Sequence, residues 1–243
     1  MTTDLSVCQD ALNRDPVLYL DLTEAIRRGD GRVVGAVPHG ALVAFTNLID
    51  GPQYGFTMFA DDLETAEQLL ALLPPVPGFL TVHETLYAGI LKERFGFGGM
   101  NPCWQFGWLH PAPPPMPELD AEIRQLEASH LATVCANYQM EDEEYLGWLI
   151  DHGELYGAFD GGALMAFAGC HAEGSMGLLE VLPQYRRRGL ATLLQSHMIR
   201  RELSRGHVPY GQVFDGNEPS LALQRSIGMT RSMGQLYWAT RDD

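Results

Sequence analysis

Three consecutive arginines precede a glycine and an apolar run in QYRRRGLATLL, residues 184–194. Leucines and other apolar residues recur at helical spacing from Leu190 onward, so a helix is expected to begin there. The first N–H groups of a helix lack intrahelical partners and carry a partial positive charge, which suits phosphate. The three arginines, Arg186, Arg187 and Arg188, add cations at the same point. The stretch predicts a site for a di- or triphosphate, and the alternative is a solvated basic turn.

The residues after the arginines fit close contact with a phosphate. Gly189 allows turn conformations and a close backbone approach that other residues do not. Ala191 leaves the first helical turn uncovered, and Thr192 offers a hydroxyl donor.

Two glutamates are candidates for a general base. Glu180 interrupts the apolar run GLLEVLP, where an unpaired carboxylate is costly and is a mark of active sites. Strand alternation could instead direct Glu180 to solvent or to an arginine. Glu173 lies in HAEGSMG, which is expected to be a surface turn.

Composition excludes several classes of protein. The 243 residues carry a net charge of −15 with only one lysine, which argues against nucleic acid as a partner. The sequence contains no apolar run of about 18 residues and begins with an acidic segment, so we expect a cytoplasmic protein without membrane contact. The 4 cysteines are widely spaced, so free thiols and no metal site are expected.

A proline-rich segment divides the chain. HPAPPPMPE, residues 110–118, has no helical or strand pattern and is expected to be a stiff extended linker. The predicted domains are therefore 1–115 and 116–243.

The downstream domain shows an alternating pattern of strands and helices. The predicted order is β-α-α-β-β-β-α-β-α-β, with strands at AEIRQLE, ELYGAFD, ALMAFAGCHA, MGLLEVLP, YGQVF and GQLYWAT. Asn217 or Asp215 is expected to cap the last helix, which Gly228 ends.

The upstream domain repeats much of this rhythm, with strands predicted at RVVGAV, ALVAFTNL, YGFTMFA, FLTV and WQFGW. Its segment VHETLYAGILKERFGFGG echoes FDGNEPSLALQRSIGMTR. The fold class predicted is α/β with two tandem related halves, each a mixed, largely antiparallel sheet flanked by helices. The alternative is that any two α/β segments look alike at this level.

The downstream motifs resemble the GNAT superfamily of N-acetyltransferases over about residues 119–240. The pyrophosphate signature of that superfamily, [Q/R]-x-x-G-x-[G/A], is matched by Arg186, Gly189 and Ala191, and VLPQYR is similar to the end of its fourth strand. More narrowly, the chain resembles the glycine N-acyltransferase-like branch, in which a degenerate N-terminal half precedes the catalytic one.

The resemblance implies how acyl-coenzyme A would bind. Strands four and five of the downstream domain would splay apart around the pantetheine, and Val181 would offer its backbone groups to the pantetheine amides. Residues Arg186, Arg187, Arg188, Gly189, Leu190, Ala191 and Thr192 would bind the pyrophosphate. Asn217, Ser220, Leu223 and Gln224 would line the other wall.

The resemblance leaves the acid and base open. The catalytic glutamate of the glycine N-acyltransferase-like branch aligns with Ser175, so the base could be Glu173, Glu180 or a water chain. Gln224 stands where many members have a tyrosine acid, and Tyr210 and Tyr237 are possible replacements. A backbone N–H near Val181 or Leu182 would polarise the thioester carbonyl. A nucleophilic pair of Cys170 and His171 is disfavoured because neighbours on a strand point to opposite faces.

The upstream domain has acidic residues, Asp61, Asp62, Glu64 and Glu67, where the downstream domain has arginines. Like charges would repel a pyrophosphate, so only the downstream domain is expected to bind acyl-coenzyme A. The expected activity is transfer of an acyl group from acyl-coenzyme A, most simply the acetyl group of acetyl-coenzyme A, to a primary amine of a small molecule or amino acid in a ternary complex. The protein would act as a monomer or homodimer, and the alternative is a non-catalytic acyl-coenzyme A sensor or scaffold.

Overall fold

The structure is a computed structural model that describes residues 1–45 and 55–241. The upstream elements are α1 (Gln9–Leu12), α2 (Leu20–Arg28), β1 (Gly31–Val37), β2 (Gly40–Phe45), β3 (Phe56–Ala60), α3 (Leu63–Leu70), β4 (Leu80–Val82), α4 (Ala88–Phe95) and β5 (Phe97–Gly107). The downstream elements are β6 (Glu122–Gln125), α5 (Leu131–Asn137), α6 (Glu143–Asp151), β7 (Leu155–Asp160), β8 (Ala163–Cys170), β9 (Met176–Val181), α7 (Leu190–Ser204), β10 (Tyr210–Phe214), α8 (Glu218–Ile227) and β11 (Thr230–Arg241).

The element order matches the sequence patterns closely. Each of the predicted downstream strands and helices is present in the predicted order. The end of the predicted strand ALVAFTNL and the start of YGFTMFA lie outside the described residues. The mixed α/β class with a largely antiparallel sheet is confirmed, since the pairing of β3 with β4 is parallel and the other pairings are antiparallel in the described strands.

Local capping sets where several helices begin and end. Asn217 caps α8, as predicted, because its side chain accepts a hydrogen bond from the Ser220 N–H at 3.3 Å. Gly228 ends the same helix in the left-handed conformation, with φ at 97°. Asp142 caps α6 by accepting from the Tyr145 N–H at 2.8 Å. These caps fix the helices that flank the downstream strands.

The strands form two sheets whose composition does not follow the linker. One sheet has seven strands in the order β1-β2-β3-β4-β11-β5-β10, and the other has four in the order β6-β7-β8-β9. Thus β11 lies between β4 and β5, and β10 pairs with the other side of β5. The boundary at residue 115 therefore does not separate the sheets, and the division into two domains stays a prediction.

The two sheets part between β9 and β10. These strands meet near their starts, where a Cβ on Gly211 would lie 2.5 Å from the Met176 carbonyl oxygen. The described strands show no hydrogen-bonded pairing of β9 with β10, so each presents an unpaired edge to the other. The predicted splaying of the fourth and fifth strands of the downstream domain is present.

The corresponding strands of the upstream domain remain paired. Phe56, Thr57 and Met58 of β3 lie in parallel register with Leu80, Thr81 and Val82 of β4. A continuous hydrogen-bonded ladder occupies the space that a pantetheine would need. Of the two corresponding strand pairs, β9 and β10 leave a gap at their crossover, whereas β3 and β4 do not.

Helix α7 fixes one side of the gap by packing on the four-stranded sheet. Leu194, Met198 and Ile199 are fully buried against residues of β7, β8 and β9. Burying each of these side chains contributes roughly 1.5–3 kcal/mol. The linker also packs on α7, where the Arg200 Nε–H donates to the Pro114 carbonyl at 2.8 Å.

Buried ion pairs join α2 to α7 across the two halves of the chain. Glu202 lies 2.7 Å from Arg201, 2.8 Å from His207 and 3.4 Å from Arg28. Arg28 also pairs with Glu24 of its own helix at 3.4 Å. The network holds the upstream helices against the end of α7.

Candidate active site

The open edge of β9 is formed by the backbone of Val181. The Leu182 N–H donates to the Met165 carbonyl of β8 at 3.0 Å. A trans peptide directs the Val181 carbonyl the opposite way, and in a strand the N–H of a residue points to the same side as its carbonyl. Both backbone groups of Val181 therefore face the gap.

The same hydrogen bond corrects one part of the sequence analysis. The Leu182 N–H is engaged within the sheet, so it is not the donor that polarises a thioester carbonyl. The Val181 N–H is still available for this role because it lies on the open edge of β9.

A bulge in β9 lies just before these residues. Phe167 pairs with Glu180 and Gly169 pairs with Gly177, so two residues of β9, Leu178 and Leu179, oppose the single Ala168. Leu178 has a positive φ of 55°, which is costly for a leucine. Such bulges redirect side chains and occur next to active sites.

The predicted phosphate turn is present after β9. A 3-10 turn over Pro183–Tyr185 leads into Arg186, and α7 begins at Leu190. Arg187 and Gly189 both have positive φ, at 65° and 81°. Backbone conformations of this kind make the concave rows of N–H groups that bind anions. The turn therefore combines a bent backbone with the start of a 15-residue helix.

The three arginine side chains of the turn differ in their contacts. Arg187 is exposed, and the Arg188 guanidinium lies 5.7 Å from the centre of the Tyr185 ring. Arg186 instead points back to β9, where its Nη2 lies 3.0 Å from Glu180 Oε1 and its Nε donates to the Val181 carbonyl at 3.1 Å. Glu180 is thus paired with an arginine, which is one of the alternatives that strand alternation allowed for it.

The opposite wall is only partly as expected. Asn217 is exposed at the start of α8, and Ser220 and Leu223 are half-buried on that helix. Gln224 is buried and accepts a hydrogen bond from Gln195 of α7 at 3.3 Å. Gln224 therefore joins two helices, which accounts for its burial without a ligand.

Glu173 is buried, so the expectation of a surface turn is wrong. Its carboxylate accepts a hydrogen bond from the Ser175 hydroxyl at 2.5 Å, and its backbone carbonyl accepts from the Tyr210 hydroxyl at 2.8 Å. The hairpin between β8 and β9 is covered because it packs on the start of β10. Glu173 and Ser175, the position aligned with the family glutamate, thus share one buried contact.

Three carboxylates act electrostatically on the half-buried phenol of Tyr138, which directly follows α5. Burial, and then the negative charges of Glu141, Glu173 and Glu180, raise the pKa of Tyr138. Glu141 lies in the loop before α6, and burial raises its pKa, although the charge of His171 opposes the change. The arrangement surrounds one region with three acidic side chains.

Tyr145 of α6 completes this region. Its hydroxyl accepts a hydrogen bond from the Ala172 N–H at 3.0 Å and lies 3.4 Å from His171 Nδ1. Burial, and then the charge of Glu173, raise the pKa of Tyr145. Its ring is stacked on the His171 ring with centres 6.2 Å apart.

Comparisons with known proteins agree with this geometry. Residues 155–239, which run from β7 to β11, match the family model described as FR47-like protein. A GCN5-related N-acetyltransferase from Kribbella flavida is 14% identical with a TM-score of 0.56, covering 94% of this chain and 95% of that chain. Another GCN5-related N-acetyltransferase, from Sphaerobacter thermophilus, is 17% identical with a TM-score of 0.54, covering 98% and 91%.

The chain has the GNAT acetyltransferase fold. A Drosophila protein of known crystal structure has a TM-score of 0.66 at 18% identity, covering 98% of this chain and 95% of that chain. No curated protein matches the sequence. The expected resemblance to the GNAT superfamily is supported at the level of fold, whereas the glycine N-acyltransferase-like branch stays a prediction.

The candidate acids named from the sequence are not at the gap of the GNAT fold. Tyr210 is fully buried, and burial raises its pKa well above the ordinary value. Tyr237 lies in β11 opposite Val82 and Pro102, within the core of the upstream strands. The Tyr210 hydroxyl is instead engaged with the Glu173 carbonyl at 2.8 Å.

The Cys170 and His171 side chains face different surroundings, as strand alternation implies. Cys170 is buried with its sulfur 3.7 Å from Arg201, and burial raises its pKa well above the ordinary value. His171 instead contacts Tyr145 and lies 3.8 Å from Glu141. A thiol held in this neutral form is a poor nucleophile.

The acidic residues of the upstream crossover have structural partners. Asp62 caps α3 by accepting from the Thr65 N–H at 2.8 Å, and Asp61 pairs with Arg14 at 2.7 Å. Glu64 and Glu67 are exposed on α3. Negative charge and a closed pair of strands therefore coincide at this crossover.

Metal-binding and membrane-spanning features were also sought in the described residues. In this part of the chain, no group of three or more histidine, cysteine or acidic side chains could hold a metal ion. None of the helices in residues 1–45 and 55–241 is both long and apolar enough to cross a membrane.

Proposed function

We propose that the protein is an N-acyltransferase that moves an acetyl or other short acyl group from acyl-coenzyme A to the primary amine of a small molecule or amino acid. The observation that carries this proposal is the gap between β9 and β10, which begins at the open edge of Val181 and ends at the turn of Arg186–Gly189. Related GNAT-fold proteins are named N-acetyltransferases.

The residues at the gap fit acyl-coenzyme A. Val181 would accept a hydrogen bond from a pantetheine amide through its carbonyl group, which leaves its N–H for the thioester. The N–H groups from Arg187 to Thr192 would hold the diphosphate, assisted by the Arg187 and Arg188 side chains. Asn217, Ser220 and Leu223 would border it from α8.

The chain would then promote direct attack of the amine on the thioester carbonyl. A carboxylate on the α5–α6 side accepts the amine proton, and the nitrogen forms the new amide bond as the carbon–sulfur bond breaks. The Val181 N–H would stabilise the negative charge that develops on the carbonyl oxygen. The thiolate leaves and takes up a proton from solvent.

Two carboxylates remain candidates for the base, Glu180 and Glu173. Glu180 adjoins Val181 directly but is paired with Arg186. Glu173 is buried and hydrogen-bonded to Ser175. The three acidic side chains around Tyr138 support an amine acceptor, because a protonated amine would be attracted to them before it loses its proton.

A non-catalytic acyl-coenzyme A sensor is the second candidate, and the ion pair between Glu180 and Arg186 favours it. Thiol release from acetyl-coenzyme A with a panel of amines separates the two. Amine-dependent release supports the enzyme, whereas calorimetric binding of coenzyme A without release by any amine supports the sensor. Absence of both contradicts both candidates.

The tandem organisation belongs to the same proposal. The upstream elements β1-β2-β3-α3-β4-α4-β5 and the downstream elements β7-β8-β9-α7-β10-α8-β11 have the same order. This order supports two related halves, 1–115 and 116–243, with the upstream half degenerate as in the glycine N-acyltransferase-like branch. We further propose a cytoplasmic monomer or homodimer that binds no nucleic acid.

A further inference from the structure

We propose that the Arg186 side chain closes the gap in the free protein, and that the diphosphate of acyl-coenzyme A opens it by drawing this side chain away. This inference rests on the proposed function and extends it to the regulation of the same site. It makes Arg186 a positioning residue that couples donor binding to the release of Glu180.

The first step of the argument is that one side chain engages two groups with separate roles. The Arg186 Nε–H donates to the Val181 carbonyl at 3.1 Å, where a pantetheine amide would donate. Its Nη2 donates to Glu180 Oε1 at 3.0 Å, the carboxylate that would receive the amine proton. Both groups are thus occupied while Arg186 stays in this position.

The second step is the position of Arg186 in the chain. It has an extended backbone, with φ at −60° and ψ at 158°, and directly precedes the left-handed Arg187. It therefore stands at the first residue of the turn that would hold the diphosphate, and its side chain is exposed. We infer that rotation about the side-chain bonds would carry the guanidinium from β9 to a phosphate without a change in the fold.

The third step concerns the strength of the contact. The side chains of Arg186 and Glu180 are 59% and 28% exposed. Ion pairs with this exposure contribute little to stability because water solvates both partners well. A diphosphate offers the planar guanidinium two parallel charge-assisted hydrogen bonds, which is the stronger arrangement. The diphosphate should therefore win the competition.

Arg187 supplies a matched control. It is exposed in the same turn and carries the same charge as Arg186. Its backbone is left-handed, unlike that of Arg186, and among the described residues the side-chain hydrogen bond of Glu180 is made with Arg186. Loss of Arg187 should weaken diphosphate binding without any link to Glu180.

The test is a double-mutant cycle on coenzyme A affinity, measured by calorimetry on the full chain. Glu180→Gln should tighten coenzyme A binding about two- to fivefold, since Arg186 is no longer held on β9. In the Arg186→Gln background the same change should have less than half this effect. In the Arg187→Gln background the full tightening should remain.

The background comparison removes a general electrostatic effect. Deleting one negative charge near a polyanion strengthens binding whether or not Arg186 is present. The proposal that Arg186 closes the gap would be overturned if Glu180→Gln tightened coenzyme A binding equally in the Arg186→Gln background. It would also be overturned if Glu180→Gln gave no tightening in the otherwise wild-type protein. Thermal unfolding of each variant checks that the fold is retained, and Arg186→Lys tests whether charge without the planar fork restores the coupling.

Pantetheine, which lacks the diphosphate, gives a second and opposite readout. Nothing draws Arg186 away when pantetheine binds, so Arg186→Gln should tighten pantetheine binding while it weakens coenzyme A binding. Weaker binding of both ligands by this variant contradicts the proposal that Arg186 closes the gap. Failure of the wild type to bind either ligand would refute the proposed function itself, which distinguishes the two failures.

Discussion

Replacing Gly189 with aspartate should abolish coenzyme A binding while the protein stays folded. Gly189 has φ at 81°, a conformation that costs a residue with a Cβ roughly 1–2 kcal/mol. A Cβ there would lie 3.4 Å from Leu119 Cδ1, which is an ordinary contact, so steric overlap adds little. A carboxylate at the start of α7 would itself gain about 0.3–1 kcal/mol from the helix dipole. The net loss is small beside a typical stability of about 5–15 kcal/mol.

The effect on the ligand is much larger. A negative charge about 4 Å from a phosphate charge is repelled by roughly 4 kcal/mol at the effective dielectric constant of a protein surface. Screening by salt reduces this figure, so we expect Kd for coenzyme A to rise at least about 100-fold, or roughly 2.7 kcal/mol.

Gly189→Ala is the matched control because it has the same backbone strain without the charge. Calorimetry with coenzyme A should show a much smaller loss for Gly189→Ala than for Gly189→Asp, and thermal unfolding should place the aspartate variant no lower in stability than the alanine variant. Equal affinities of the two variants would refute the assignment of the diphosphate to this turn.

Three further predictions follow from the structure. Glu180→Gln should lower turnover at least about tenfold without weakening coenzyme A binding, and steady-state kinetics that show this loss for Glu173→Gln alone would move the base to Glu173. Leu194→Ala should destabilise the protein by about 2–5 kcal/mol in urea unfolding, because Leu194 is fully buried on the face of α7 that packs on the four-stranded sheet. A loss below about 1 kcal/mol would contradict its place in the core. The side chains of Asp21 and His83 lie 3.0 Å apart, and burial disfavours the charged form of each. The charge of each residue nevertheless stabilises the charge of the other, so the pKa of Asp21 is lowered and that of His83 is raised. The stability lost in Asp21→Asn should therefore be greatest between about pH 4 and pH 6.5 and decrease below and above this range, whereas urea unfolding with a pH-independent difference would count against the charged pair.

The sequence predicts the elements of the downstream half and the turn of Arg186–Gly189 well, because these features depend on local patterns. Apolar spacing defines α7, and Gly189 marks the left-handed residue at its start. The bulge at Leu178 has no such signal, since leucine rarely has a positive φ and is held there by surrounding packing.

Long-range contacts account for what the sequence does not reveal. Glu173 has the local features of an exposed hairpin, but that hairpin is covered by distant residues, among them Tyr210 and Arg28. Tyr237 is in a predicted strand, but the strand pairs with β4 and β5. Local patterns identify strands without specifying which distant strand each will join.

The position of β11 between β4 and β5 has a consequence for how the protein is made. The first sheet cannot be completed while the chain is still being synthesised through the downstream half, because the strand that fills its centre is translated long after its neighbours. Until β11 has been translated, β4 and β5 have no strand between them, and their facing edges are open to pairing with other chains. Completion of the upstream strands into one sheet thus requires translation of the downstream half.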